Sequence, residues 1–587
     1  MTIYAVDRAK LEASQALTEA LKTQVAPGEI RYAPPEVPGD LAFPCFALAK
    51  TLKKNPALIA SDLMAALFLK PGGLIAKAEA HGGYLNFFLD GKAFIGAVIG
   101  DFQDMGPAYG THDRGKGRKV IIDFSSPNIA KPFSVGHLRT TNIGDALVRI
   151  MKAMGYETIG DNHIGDWGTQ FGKLIYAYHK WGDREAIEKN PIRELLSLYV
   201  RFHEEAGILD DEHPQGEPGG ESGKPNLLED EARALFKKLE EGDREITMLW
   251  EWIREVSLSD FQKVYGMLGI TFDEVLGESF YNDKMGEVKE LARQKGILEE
   301  DAAGTLLVRL DSYGISTPLL IQKKDGTSLY ATRDLACAIY RIRRWNPEKI
   351  LYVVGEEQQL YFRQVFKVIE LLGFTTPCEH VYFGLVVLPG SEKISTRKGN
   401  VVFLEEVLEE ACRRAAEVIE DRPMAPEKKE AIVKAVGVGA VKYHDLSQNR
   451  KKNVTFDWDK MLSLDGNSSP YLQYSYARAR SILRKASSHP SRFHEGEAVT
   501  PEERDLIHKL ARFPEAVSDA AAQCFPHLVA TYLFELAQLF SAFYNNVAVL
   551  TASSEPLREN RLMLVDFYSQ VMKAGLGLLG IEVLEEM

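Results

Sequence analysis

Cysteine is scarce in this chain and follows no pattern. Of 587 residues only five are cysteine, Cys45, Cys337, Cys378, Cys412 and Cys524, and no two of them form C-x-x-C. An odd, scattered set excludes a disulfide framework and predicts free thiols in a reducing, cytoplasmic setting. Local spacing offers no zinc site either. Long apolar runs are missing, and no stretch is long enough to span a bilayer, so no membrane partner is expected. The N-terminal segment MTIYAVDRAKLEASQALTEALK alternates charged with apolar residues, where a secretory leader would be continuously apolar; it reads as an amphipathic helix. There is no internal repeat. Positive charge is in deficit, with 70 Lys and Arg against 83 Asp and Glu, a net of -13. That excludes a chain coating nucleic acid over its whole surface, but leaves room for a local basic face on an acidic body.

The remaining composition is that of a globular protein, 45% hydrophobic and 26% charged, and its length calls for three or four domains. Residues 1–110 read as a small α+β unit. Helical patterns at Lys10 to Lys22 and at Ala42 to Leu69, interrupted by Pro56, precede the strand-like GYLNFFL. The charged, glycine-bearing THDRGKGRK, Thr111 to Lys119, is the joint. Residues 111–404 change texture. KVIIDFSS is an apolar strand ending in small polar residues, HLRTTNIGDALVRIMKAMG is an amphipathic helix, and YETIGDNHIGDWG is the next strand with its loop. That order predicts a parallel, nucleotide-binding α/β sheet. A charged helical insertion at about 175–305 contains the Gly-, Pro- and acid-rich stretch from Gly207 to Asn226. Strand-like runs then return at GTLLVRL, PLLIQ, ILYVVG and VYFGLVVL. Residues 405–587 are almost purely helical and predict a bundle.

Two segments carry phosphate chemistry. In SSPNIAKPFSVGHLRTTNIGD, Ser125 to Asp145, a strand end delivers Gly136 and His137 to the start of a helix. The glycine leaves room for a nucleobase, and the imidazole, the helix N-terminus and Lys131 can hold phosphate oxygens. Read alone, such a histidine is explained as well by capping or packing beneath a loop. In SEKISTRKGNVV, Lys393, Ser395, Thr396, Arg397 and Lys398 fall close together after a strand, a basic loop suited to a pyrophosphate leaving group. Alone it reads sooner as a solvated basic turn.

Taken together, the Gly-His after the first strand and K-I-S-T-R after the last resemble the HIGH and KMSKS signatures of class I aminoacyl-tRNA synthetases. More narrowly, SSPNIAKPF, VGHLR, NHIGDWGTQFG, LYATRDL, VVGEEQ and STRKGN resemble the arginyl-tRNA synthetase family. GGYLNFFL resembles the end of that family's N-terminal domain, and GAVKYHDLSQNR with FDWDKMLSLDGNSSPYLQYSYARA the opening of its anticodon-binding domain. The resemblance implies a Rossmann-type parallel-sheet catalytic domain with a helical insertion, a small α+β N-terminal domain that contacts tRNA, and an all-α C-terminal bundle that binds the anticodon. It implies ATP and Mg²⁺, L-arginine, and the tRNA for arginine, with adenylation followed by transfer to the 3′ end. A monomer is expected.

The resemblance also implies residue roles. His137, Lys131, Ser134, Lys393 and Arg397 would serve catalysis, and Gly136, His137, Lys393, Ser395 and Thr396 would hold ATP. Asn128, Glu278, Tyr330, Asp334 and Gln358 would hold arginine. The last set makes chemical sense, because a guanidinium offers five donors and no acceptor and therefore needs carboxylates. Tyr330 and Asp334, four apart, share one face of any helix they occupy. In the tail, Tyr471, Tyr474 and Arg478 recur at helical spacing, and Arg450 heads a basic cluster, a mixture of aromatics and cations suited to unpaired bases.

Two departures from the family's pattern stand out. Ser134 occupies the place where the first motif commonly has histidine, and a hydroxyl donates a hydrogen bond but carries no charge near neutral pH. Thr396 stands where the second signature has its second lysine. A catalytically weakened, tRNA-binding relative is therefore the alternative. A cysteinyl-tRNA synthetase would want a cysteine-built zinc site that the spacing does not offer. A small-molecule adenylyltransferase would need neither the insertion nor the helical tail.

Overall fold

The computed structural model describes residues 3–207, 226–324, 329–387, 402–419, 424–486 and 492–587. The first unit is a four-stranded antiparallel sheet in the order β1 (Arg31–Tyr32), β2 (Leu41–Pro44), β4 (Tyr84–Leu89), β3 (Ile75–His81). It is covered by α1 (Ala5–Leu21), whose Ala9, Ala13 and Leu17 are buried at helical spacing. The apolar run from Ala42 does not begin as a helix. Leu41–Pro44 is a strand because its backbone pairs with Tyr84–Phe87, and only α2 (Phe46–Leu52) and α3 (Pro56–Ala66) are helical. Pro56 does not interrupt a helix but opens one: it stands at N1, where its missing N–H costs nothing, and Asn55 caps the turn through the Ala57 amide. Next, α4 (Gly91–Met105) carries the chain onto the C-terminal bundle, where Phe102 stacks on Phe567 with ring centroids 4.1 Å apart. The N-terminal unit is thus docked on the last domain, with Lys10 paired to Glu515 at 2.7 Å.

At the centre lies a four-stranded, all-parallel sheet ordered β11 (Cys378–His380), β10 (Lys349–Tyr352), β5 (Lys119–Asp123), β6 (Glu157–Asp161). Between β5 and β6 the chain crosses through α5 (Leu138–Ala153); between β10 and β11 it crosses through α13 (Gln359–Leu371). Strand order reverses between β5 and β10, so the crevice at their carboxyl ends is the topological switch point where such sheets bind ligands. Gly144 lets α5 lie close on the sheet: a Cβ there would sit 2.1 Å from Phe124 Cγ.

The edge strand is Cys378–His380, immediately before the apolar VYFGLVVL run. Among the described residues of that run only Val386–Val387 (β12) is a strand, paired in parallel with β13 (Val454–Thr455). The segments predicted as strands at GTLLVRL and PLLIQ, now β8 (Leu306–Val308) and β9 (Leu319–Gln322), lie outside the parallel sheet. With β7 (Glu299–Glu300) they form a separate antiparallel sheet.

Helices α6 (Thr169–Trp181), α7 (Arg184–Lys189), α8 (Pro191–Glu205), α9 (Leu227–Glu240) and α10 (Arg244–Leu268) form the insertion. After α11 (Met285–Gln294) and α12 (Tyr330–Trp345), the chain turns helical from α14 (Leu404–Ile419) onward. The bundle comprises α15 (Pro426–Leu446), α16 (Trp458–Met461), α17 (Ser469–Ala486), α18 (Pro501–Ala511), α19 (Phe513–Gln523), α20 (His527–Asn546) and α21 (Glu555–Leu578). Among the described residues no helix is long and apolar enough to cross a membrane.

Candidate active site

The loop leaving β5 is bent hard. Ser125, Ser126 and Ala130 all have positive φ, 73°, 47° and 59°, a conformation costing of order 1 kcal/mol for each side-chain-bearing residue. The surroundings hold it there. Thr140, one turn into α5, accepts from the Ser125 amide at 3.0 Å and donates to the Val353 carbonyl at 2.6 Å, stitching the ends of β5 and β10 together. Ser126 receives support from Asp123 and Asn162, and the Ala130 amide donates to Ser257 Oγ at 3.1 Å. The strain buys an outward-turned Asn128, which makes a parallel bridge to Gly165 in the loop after β6.

Val135–His137 forms a single 3₁₀ turn leading into α5. The Ser134 amide donates to His137 Nδ1 at 3.2 Å, and Phe133 stacks on the imidazole at 5.2 Å. Burial, with the Lys131 ammonium adding to it, lowers the His137 pKa to about 4. The ring is therefore neutral at physiological pH, with Nδ1 accepting and Nε2–H free to donate. Gly136 beside it is exposed. Lys131 lies with its ammonium 5.8 Å over the Tyr199 ring. Lys393, Ser395, Thr396 and Arg397 fall outside the described residues. The chain that follows them is fixed directly against the first motif: Val135 N–H donates to the Val402 carbonyl at 3.2 Å, and Ser134 bridges Phe403.

The other group of predicted residues converges from four elements. Tyr330 and Asp334 stand on the first turns of α12, whose N-terminus opens on the crevice. The Asp334 carboxylate accepts the Tyr361 hydroxyl, and Tyr361 lies one turn beyond Gln358, at the start of α13. Gly168, whose Cβ would come 3.6 Å from the Tyr330 hydroxyl, places the β6 loop over the same helix end. Glu278 arrives from the segment after α10 and lies 3.6 Å from Arg333. It is seated by its neighbours: the Glu278 amide donates to the Ile164 carbonyl, and Ser279 donates twice at 2.8 Å to the fully buried Asp166, itself paired with Arg254. Burial pushes the Glu278 carboxyl up to about 7 despite the Arg333 guanidinium, and burial likewise raises Asp334, against His163 and Tyr361 which lower it. Two carboxyls, Glu278 largely buried and Asp334 half-buried, stand with the Tyr330 hydroxyl about one opening, where an entering cation would gain from anions that water screens only in part. His163, Tyr361 and the pegs Asp166 and Ser279 were not singled out from the sequence. His163 and Asp166 lie inside NHIGDWG, which carried the family resemblance without a role.

In the bundle, Tyr471, Tyr474 and Arg478 share a half-exposed face of α17. The Arg478 guanidinium lies 4.8 Å over Tyr474 and 4.7 Å over Tyr544 of α20. Arg450 does not join them. It is buried, donating to the carbonyls of Cys524 and Tyr382, so its charge ties the bundle to the catalytic domain and is not offered to a ligand.

Comparison with known proteins agrees with this layout. The family model for the class I (R) tRNA synthetase catalytic domain matches residues 107–458. That for the arginyl tRNA synthetase N-terminal domain matches residues 8–89, and that for the DALR anticodon binding domain matches residues 472–587. The arginine–tRNA ligase of Clostridium perfringens is 46% identical over 553 residues, 94% of each chain. That of Alkaliphilus metalliredigens is 44% identical over 555 residues, again 94% of each. Among solved structures, Thermus thermophilus arginyl-tRNA synthetase superposes with a TM-score of 0.81 at 28% identity, covering 99% of this chain and 100% of that one. The Plasmodium falciparum enzyme shares the fold, with a TM-score of 0.80 at 23% identity over the full length of both. With a strained strand-end loop, a helix-start histidine and a carboxyl-lined pocket at the switch point, all within matches that span nearly the whole sequence, the chain belongs to the arginyl-tRNA synthetase family.

Proposed function

We propose that the residues assembled at the switch point divide one reaction between two halves of the crevice. The overall activity is ligation of arginine to its tRNA with ATP as the energy source, and nothing in the comparisons favours a catalytically weakened relative. Asn128, Glu278, Tyr330, Asp334 and Gln358 hold arginine: the carboxyls take the guanidinium, and the neutral amides take the α-amino and carboxylate ends. Gly136 and His137 receive the nucleotide, with His137 Nε2–H donating to a phosphate oxygen and Lys131 adding charge. Ser134, whose amide fixes the His137 ring, acts chiefly through that ring. Lys393, Ser395, Thr396 and Arg397 serve the leaving pyrophosphate. What supports this reading most is the pair Asp334 and Glu278, two carboxyls brought from distant segments to one opening, Glu278 largely buried and Asp334 half-buried.

The substrate carboxylate attacks the α-phosphorus in line, the bond to pyrophosphate breaks, and a ribose hydroxyl at the tRNA 3′ end then takes the arginyl group, releasing AMP. No side chain forms a covalent bond, so the chain contributes orientation and charge stabilisation. The donors beside the first motif are an imidazole, an ammonium and a hydroxyl. They fit phosphate oxygens, and Mg²⁺ would come with the ATP phosphates, where it would supply charge neutralisation.

The N-terminal unit and the Tyr471, Tyr474 and Arg478 face contact the tRNA, with the anticodon on the bundle. The protein works as a cytoplasmic monomer. Arginine-dependent ATP–pyrophosphate exchange, with and without transcribed tRNA, tests the assignment. Exchange with arginine, and not with lysine or citrulline, is the expected result. Exchange that ignores the Asp334→Asn substitution would remove the guanidinium assignment.

A further inference from the structure

His163 has no part in the reading above, yet its position is unusual. Its Nδ1 lies 3.0 Å from the Leu276 carbonyl. A carbonyl only accepts, so Nδ1 carries a proton, and any second proton must sit on Nε2. Nε2 is buried and lies 3.8 Å from Asp334 Oδ1, with the Cys337 thiol as the ring's other polar neighbour. The other Asp334 oxygen is occupied by Tyr361. A neutral imidazole in this place would turn a lone pair toward a carboxylate; a protonated one makes an ion pair with it.

Other groups face the ring from each neighbouring element. Asp123 and Asp161, at the ends of β5 and β6, are bridged by Arg341 of α12 at 2.7 and 2.8 Å, leaving one excess negative charge. Cys337 and Asp334 face it from the same helix. From the Glu278 segment come Glu278 itself and the Tyr281 ring at 5.5 Å. Burial opposes a charged ring, but Cys337 and Asp123 outweigh it, Arg341 notwithstanding, and hold the imidazole's pKa well above its ordinary value.

We infer that His163 is the resident cation on Asp334, as Arg333 is on Glu278: its imidazolium neutralises Asp334 when the pocket is empty, and the substrate guanidinium displaces that proton on binding. The inference rests on Asp334 being the guanidinium ligand and assigns His163 a positioning role through it. Two cations on one half-buried carboxylate repel, so arginine binding and His163 protonation oppose each other, and each weakens the other by the same factor. Arginine affinity then rises with pH, by at most about ten-fold per pH unit for each proton released.

Calorimetric titration of the full-length protein with L-arginine, in buffers of different ionisation enthalpy between about pH 6.5 and 9, counts that proton. His163→Asn keeps an amide donor for the Leu276 carbonyl and removes Nε2. We expect it to release about one proton fewer than the parent. It should bind arginine more tightly than the parent at the acidic end and about equally at the alkaline end, because the share released by Glu278 is common to both proteins. Unchanged proton release overturns the inference. So does affinity lowered by one constant factor at every pH, which is what a purely structural histidine would give. If His163→Asn does not fold, His163→Gln is read in the same way. Asp334→Asn, titrated alongside, separates the two levels. If it leaves arginine affinity intact, the pocket assignment fails and the His163 inference fails with it. If it abolishes binding while His163→Asn changes no proton count, only the His163 inference is lost.

Discussion

The helix that begins at the nucleotide motif is bolted to the C-terminal bundle by a buried ion pair, and that pair can be weighed. Arg139, in the first turn of α5, is 1% exposed, and Asp445 of α15 is 3% exposed. Arg139 Nε donates to Asp445 at 2.8 Å, and Nη1 to the carbonyls of Gly384 and Lys452 at 2.6 and 2.8 Å. Replacing Arg139 by Met leaves Asp445 charged and buried, with only Asn142 at 3.4 Å to donate to it; stranding one partner of a buried pair costs about 3–5 kcal/mol. Asp445→Leu leaves a guanidinium that still holds two carbonyls, and should cost nearer the lower end, about 3 kcal/mol. The double variant strands no charge. It leaves the two carbonyls short of a donor, at about 1–3 kcal/mol for each buried group, so its total should fall below the sum of the single variants by about 2 kcal/mol or more. Guanidinium denaturation of the four proteins, followed by circular dichroism, gives the cycle. Glu188→Ala, which breaks an exposed i,i+4 pair with Arg184 at 2.9 Å, is the control and should cost no more than about 0.5 kcal/mol. Single variants that add to within about 0.5 kcal/mol would refute the claim that the two domains share this pair.

Three further outcomes follow from the site. Glu278 has a folded pKa near 7 against an ordinary 4.5, so between those values the folded chain holds a proton the unfolded chain has lost, and stability falls as pH rises through that window. Glu278→Gln should flatten this slope in denaturation curves taken across it; an unchanged slope would place the effect elsewhere. Tyr361→Phe removes the hydroxyl given to Asp334 and should raise the KM for arginine about 5- to 10-fold, with the KM for ATP unchanged within about two-fold. Tyr474→Ala and Arg478→Ala break the stack on α17, and each should raise the KM for tRNA about 5- to 10-fold while sparing arginine binding. Loss of arginine affinity in either would mean a packing role.

What could be read beforehand follows a physical line. Tyr330 and Asp334 were legible as neighbours because a helix turns by a known angle per residue, and α12 begins at Tyr330. Tyr361 was not, because it reaches Asp334 across a turn from another helix and no local period records that approach. At the sheet edge the predicted strand is displaced for the same kind of reason. VYFGLVVL is apolar because Val381 and Phe383 pack into the core, and it holds the short strand Val386–Val387, yet the edge strand of the parallel sheet is the preceding Cys-Glu-His. An edge strand pairs on one side only, and its backbone bonds leave little mark on composition. Arg450 looked like part of a basic face because Lys451 and Lys452 follow it. Its burial depends on carbonyls of Tyr382 and Cys524, which sequence spacing does not place.

One helix shows how the pocket and the core constrain each other. Along α12, Tyr330, Asp334, Cys337 and Arg341 follow one face, and exposure falls from 49% at Tyr330 to 0% at Arg341. The first two open on the crevice; the last lies under the sheet ends between Asp123 and Asp161. A helix meant only to pack would carry apolar residues there, since a buried ion pair is seldom more stable than a hydrophobic isostere. The buried trio of one guanidinium and two carboxylates therefore does something packing would not. It leaves an uncompensated negative charge in a region of low dielectric, near enough to act on Asp334 and His163. That charge favours any cation entering above it and disfavours a neutral analogue of the same shape. Selectivity for a guanidinium over a urea of equal size is then set partly by groups the substrate never touches.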